Sequence, residues 1–351
     1  MRNSGFKKLL VVLMMSVALS GCNRQSIQPF QTPGPTNTPK IVINIGPPNA
    51  GKSAAENPFE GTQLPPVVGR SPTDPPGQVV FGASVADLPM IDHHGLPAVE
   101  VVLNGRGPYR FVVDWGANLI AMSPQLAMDL SLPILGVDEM GNPNARVDSL
   151  AIGPIEFQDL TVALDPFFLG TDEAGVLGRN VYENLLVTLD YPTQRIRLEG
   201  GSLPETDGRT IFDYAPTEGG APMLEMNLQG YSFPVVLDTG AARGLIVPVS
   251  EVSKFSFVSG PVTGGTAIGP QLGAAETEVG RLLGKLTFGE YTILEPVAVI
   301  LDRPEYLAGS GILRYFAITL DQQQGTVRLE RDDPSPMIMP LEVWETITPT
   351  P

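Results

Sequence analysis

The feature that most constrains this chain is repetition at long range. Val99-Glu100-Val101-Val102-Leu103-Asn104-Gly105 lines up with Leu224-Glu225-Met226-Asn227-Leu228-Gln229-Gly230. A second apolar run follows each, FVVDWGA at 111–117 and PVVLDTGA at 234–241. Then come Leu119-Ile120-Ala121-Met122-Ser123-Pro124 in the first half and Leu245-Ile246-Val247-Pro248 in the second. Further on, 186–190 matches 317–321, and Arg197-Leu198-Glu199 matches Arg328-Leu329-Glu330. The offset drifts from 125 to 124 to 131 residues, as in a diverged duplication whose loops have changed length. The expected division is a first lobe over 81–204, a second over 205–333 and a tail over 334–351.

Within each half the apolar runs are four to seven residues long and bounded by Gly, Pro and Asn, which is the pattern of short strands. Asn104-Gly105 and Gln229-Gly230 suit tight hairpin turns. Only Pro124–Leu130 and Asn180–Leu185 read as short helices. The fold class expected is therefore mainly β, in two lobes.

Charge and composition exclude several functions. The 351 residues carry a formal net charge of −16, which repels phosphate backbones and argues against nucleic-acid binding. One cysteine, Cys22, excludes an intrachain disulfide and a cysteine-rich zinc site. His93 and His94 are the only histidines, and no further ligand joins Asp92-His93-His94 in sequence. This stretch reads as a solvated turn, and no metal or cofactor is expected.

The N-terminus reads as an address. Arg2, Lys7 and Lys8 precede an apolar run from Leu9 to Leu19, too short to span a bilayer. Leu19-Ser20-Gly21-Cys22 resembles the bacterial lipoprotein box, so residues 1–21 are expected to be a signal peptide and Cys22 the lipid attachment point. Acyl chains would hold the mature chain on a membrane, outside the cytoplasm, in the cell envelope. From 22 to 80 the composition is that of a tether: twelve prolines fall between Asn23 and Val80. Gly46–Ser53 fits the phosphate-loop pattern, but Pro47 and Pro48 lack the N–H groups such a loop needs. No nucleotide site is expected there.

The chemistry lies in two aspartates. Asp114 and Asp238 each end an apolar strand, and each is followed by one residue and a glycine, Gly116 and Gly240. Charge at the end of a buried strand is costly unless it is paired or used. If the lobes pack about an approximate two-fold axis, the two loops meet. Carboxylates about 3 Å apart share one proton, so one can take a proton from water while the other hydrogen-bonds a substrate carbonyl.

Asp238-Thr239-Gly240-Ala241, with PVVL before it and LIV after it, resembles the signature of the pepsin and retropepsin clan of aspartic peptidases. Gly175-Val176-Leu177-Gly178 resembles the clan's second element, which packs against the aspartate loop. The resemblance spans about residues 82–331. It implies two retropepsin-like half-barrels in one chain, pairing within a monomer, with flap hairpins over 138–149 and 260–280 and an extended peptide or protein substrate beneath them. It implies Asp114 and Asp238 as catalytic, with Trp115, Gly116, Thr239 and Gly240 supporting their loops. Two departures stand out. Trp115 occupies a position where the clan has Thr or Ser, and Arg314 follows Gly309-Ser310-Gly311-Ile312-Leu313 where a glycine is expected. These departures motivate an alternative, a non-catalytic envelope lipoprotein that binds extended peptide or cell-wall polymer in the same cleft.

Overall fold

A computed structural model describes residues 57–339 other than 68, 139, 140, 170 and 270–272, together with a two-residue strand at Ser16–Val17. The expected signal peptide, the expected lipid attachment point Cys22 and the segment 46–53 lie outside the described residues, apart from that short strand. No helix among the described residues is long and apolar enough to cross a membrane.

The protein is mainly β and has two lobes. In the first, the hairpin of Leu96–Leu103 and Arg106–Asp114 turns at Asn104-Gly105, both with positive φ. That is the geometry two-residue hairpins demand. Arg106–Asp114 then runs parallel to Gly175–Gly178, which is antiparallel to Ile120–Met122. Ile155–Leu164 joins Ile120–Met122 on one side and Pro143–Ile152 on the other, and the latter also meets Leu96–Leu103. These contacts close a six-stranded barrel. Ala145 and Val147, then Leu150 and Ile152, are buried, so the inward face of Pro143–Ile152 changes by one residue across Asp148-Ser149.

The second lobe repeats the central pairings in an open, curled sheet. Pro222–Leu228 and Tyr231–Leu237 form a hairpin that turns at Gln229-Gly230, and Tyr231–Leu237 runs parallel to Tyr306–Ala308. Leu245–Pro248 lies antiparallel to Tyr306–Ala308 and parallel to Val297–Leu301. The long hairpin of Phe257–Gly269 and Gly273–Leu282 stands where the second flap is expected. Its first-lobe counterpart is much shorter: Ile134–Val137 pairs with only the start of Pro143–Ile152.

A six-stranded sheet joins the lobes in the order Ile211–Asp213, Thr326–Glu330, Ala317–Asp321, Leu186–Asp190, Arg195–Glu199, Val85–Pro89. Three strands come from each lobe. At its centre Thr188 faces Thr319, with their hydroxyls 2.8 Å apart. The two-fold relation of the lobes passes near this pair, since each Thr begins a Thr-Leu-Asp closing its strand. Of the short helices, Pro124–Asp129 forms as expected, while Arg179–Tyr182 is a 3-10 turn and Ser310–Leu313 a single α turn.

The tether reading needs correction from residue 57 onward. Residues 57–80 lie against the first lobe. Val137 donates to Pro65 O and accepts from Val67 N, both at 2.8 Å. Asn180 Nδ2 donates to Pro72 O at 2.9 Å and Asp74 O at 3.0 Å, and Gln78–Phe81 pairs with the start of Ile155–Leu164. Proline lacks a donor but keeps its carbonyl, so a proline-rich strand can be held by donors on its neighbour. The tail also contributes: Met337–Ile338 pairs with Ile293–Leu294, and Met339 is buried.

Candidate functional site

The buried ends of two strands carry the aspartates. Arg106–Asp114 and Tyr231–Leu237 are exposed where they start and fully buried where they finish. Each runs into a loop that turns back at the lobe boundary, leaving Asp114 1% and Asp238 0% exposed. The structure brings the two carboxyl groups together at the lobe boundary: the Asp114 carboxyl packs against Gly240 of the opposite loop, and each aspartate shifts the acidity of the other.

Each carboxylate has one oxygen held by its own loop. Asp114 Oδ1 accepts from Gly116 N at 2.7 Å and Ala117 N at 3.1 Å. Asp238 Oδ1 accepts from Gly240 N at 3.0 Å. The two Oδ2 atoms are buried and receive no donor from any described residue. With both groups ionised neither oxygen is satisfied; one proton between them satisfies both. Electrostatics agree. Burial pushes Asp114 well above the usual carboxylate range, and the Asp238 charge adds to this against the two loop amides. Burial also raises Asp238, but the Arg303 guanidinium and the bond to Asp114 hold it lower, at about 6. The pair titrates as a unit in which Asp114 keeps the proton longer.

Gly240 is required by close approach. A Cβ there would stand 2.4 Å from Asp114 Cγ, so any side chain would displace the opposing carboxyl. Thr239, fully buried, spans the lobes: its hydroxyl accepts from Trp115 N at 2.8 Å and donates to Val113 O at 2.7 Å. Trp115 offers no hydroxyl to return this contact. Its ring is fully buried in the main core, and its Nε1 has no partner among the described residues.

The carbonyl after each aspartate has its own donor, which sequence reasoning missed. Arg179 Nε donates to Trp115 O at 2.6 Å, and Ser310 Oγ donates to Thr239 O at 3.2 Å. Arg179 Nη2 also reaches Gly219 O in the other lobe at 2.6 Å, and burial lowers its pKa to about 10. An arginine directly after the buried run GVLG was the available signal, because a cation there must find acceptors.

The register corrects one expected departure. Gly178 stands beside Asp114, and the matching strand Tyr306–Ala308 puts Gly309 beside Asp238. The expected glycine is therefore present five residues before Arg314. A Cβ at Gly178 would lie 2.3 Å from Leu119 O, and one at Gly309 would lie 2.1 Å from Arg243 O. Arg314 is exposed at the end of the following turn. The error arose because Gly309 and Gly311 both offer a plausible alignment, and only strand pairing chooses between them. His93 is likewise not solvated: it is buried, with Nε2 3.0 Å from Glu173, whereas His94 is exposed. No group of three or more metal-ligating side chains occurs among the described residues.

Two β lobes bring a pair of buried aspartates together at their boundary. Residues 99–181, which include Asp114 and Gly178, match the family model of the aspartyl proteases, and this supports a peptidase-like function at the family level. No curated protein matches the chain.

Proposed function

We propose that the chain is an aspartic endopeptidase in which Asp114 and Asp238 activate one water molecule. The observation that carries this reading is the packing of the buried Asp114 carboxyl against the loop of buried Asp238, with one oxygen of each group left without a donor. In the working state Asp238 is ionised and Asp114 protonated, following the order in which burial and Arg303 set their acidities. Asp238 takes a proton from water as it attacks the peptide carbonyl, and Asp114 donates a hydrogen bond to the developing oxyanion. The tetrahedral intermediate collapses as the leaving amine accepts the proton held by Asp238. An extended peptide adds a strand beneath the hairpin 257–282, which contributes most of the cover.

The same proposal places the enzyme outside the cytoplasm, anchored to a membrane through lipidated Cys22, on the strength of the leader and Leu19-Ser20-Gly21-Cys22. It works as a monomer, with the lobes pairing within one chain. The non-catalytic alternative draws less support, because Trp115, one of the departures that motivated it, is packed in the hydrophobic core. Hydrolysis of a mixed peptide pool by the purified full-length chain tests the reading, with Asp238→Asn and Asp114→Asn as controls. Loss of cleavage in both variants is expected; cleavage that survives Asp238→Asn overturns the assignment.

A further inference from the structure

Two positions related by the approximate two-fold carry side chains of very different length. Arg179 and Ser310 each follow the glycine beside an aspartate loop and bond the carbonyl after the aspartate. Arg179 continues across the lobe boundary to Gly219 O, in the turn before Pro222–Leu228. On the other side the corresponding turn is His94-Gly95, before Leu96–Leu103. Ser310 ends at Thr239 O and the Tyr191 hydroxyl, 3.2 Å away, and does not span the gap. On this side a cavity of about 610 Å³ is lined by His94, Gly95 and Ser310, among others.

The cavity is cationic in a protein of net charge −16. Arg243, 3% exposed, lines it five residues beyond Asp238, and Arg314 and His94 stand exposed at its edge. Asp92 is the one carboxylate among its lining residues, and its Oδ1 is engaged by Gly95 N at 2.7 Å. Burial lowers the Arg243 pKa only to about 10, so it carries its charge at neutral pH. The first lobe has no arginine between Asp114 and Ile120, so this charge belongs to the second lobe's loop only.

We propose that this cavity is a subsite for an acidic side chain, Asp or Glu, of an extended peptide lying across the aspartate loops. It rests on the peptide-cleaving reading above. The planar guanidinium of arginine matches a carboxylate in two-point hydrogen bonding, which makes the site selective for charge as well as size.

The experiment uses the full-length chain and otherwise identical peptides carrying Glu, Gln or Lys at each position flanking the scissile bond. At one position on one side, Glu is expected to exceed Gln by roughly ten-fold in kcat/KM, as a charge-assisted contact implies, with Lys lowest. Arg314→Ala, at an exposed site, brings the Glu to Gln ratio toward one, and Arg314→Glu favours Lys. Cleavage that ignores charge at every position, or a Glu preference that Arg314→Glu leaves intact, overturns the subsite while leaving hydrolysis standing. Binding of the same labelled peptides to Asp238→Asn, read by fluorescence anisotropy, separates the two claims. Glu-selective binding without cleavage by the unaltered chain supports the subsite and overturns the hydrolase. Binding that does not distinguish Glu from Gln overturns the subsite.

Discussion

Thr239 grips the loop of Trp115 without being gripped in return. Its hydroxyl takes the Trp115 N–H and gives its own proton to Val113 O, both across the lobe boundary. In an arrangement with two-fold symmetry a second hydroxyl would mirror this; here position 115 holds an indole buried in the core. The positioning of the two carboxyl groups therefore leans on one side chain.

Thr239→Val removes both contacts and leaves a buried N–H and a buried carbonyl unpaired. The expected loss is about 2–4 kcal/mol of stability, measured by urea unfolding, with Thr239→Ser retaining most of it. Activity should fall at least about 100-fold, since a misplacement near 1 Å has that effect.

Activity should rise with pH through about 6, where Asp238 ionises, and fall once Asp114 loses its proton at higher pH. A pH profile of kcat/KM checks this, and an ascending limb near the ordinary carboxylate value of about 4 contradicts it. Because the Arg303 charge holds Asp238 down, Arg303→Gln should move that limb to higher pH.

The same shift has a consequence for stability. A carboxylic acid whose folded pKa is raised favours folding at acid pH, and that contribution is lost as pH rises through the folded value. Asp238 is raised from the ordinary 3.8 to about 6 and is fully buried, so its ionisation opposes folding at neutral pH. Asp238→Asn should abolish cleavage yet raise stability at pH 7 and above, by at most about 3 kcal/mol. The gain should vanish near pH 3.5, and thermal unfolding across that range measures both limits.

Gly240→Ala places a methyl against the Asp114 carboxyl, where no room exists. The expected outcome is a folded protein with cleavage reduced at least about 100-fold, checked by circular dichroism and peptide assay together.

Arg179→Met retains bulk but leaves Trp115 O and Gly219 O without their donor. A loss of about 2–4 kcal/mol in chemical unfolding is expected, because each lost bond involves a charged donor and a buried acceptor. Arg314→Ala, which is exposed, should change stability by no more than about 0.5 kcal/mol in the same measurement.

The strands and hairpin turns were legible because they depend on neighbours in sequence. Burial of alternate residues shows in Pro222–Leu228, and the left-handed turn shows in Asn104-Gly105 and Gln229-Gly230. Asp114 and Asp238 were legible as a pair because each sits at the end of an apolar run, where charge is expensive. Arg243 was not, since nothing near it in sequence marks a cavity; that depends on Ser310 being short and on His94-Gly95 arriving from the other lobe. The fit of residues 57–77 to the first lobe was equally hidden, because proline-rich chain looks the same in sequence whether solvent or a neighbouring edge supplies its donors.

By itself the chain's order of residues determined that short strands would form and that two acids would sit at their buried ends, since periodicity and the cost of burying charge act locally. The tertiary structure alone decided that these acids come together, that Gly309 rather than Gly311 stands beside Asp238, and that a cavity lies beside Ser310. Those outcomes depend on strand register and side-chain reach between segments more than 100 residues apart, as in the bond from Thr239 to Val113, and no local pattern encodes them.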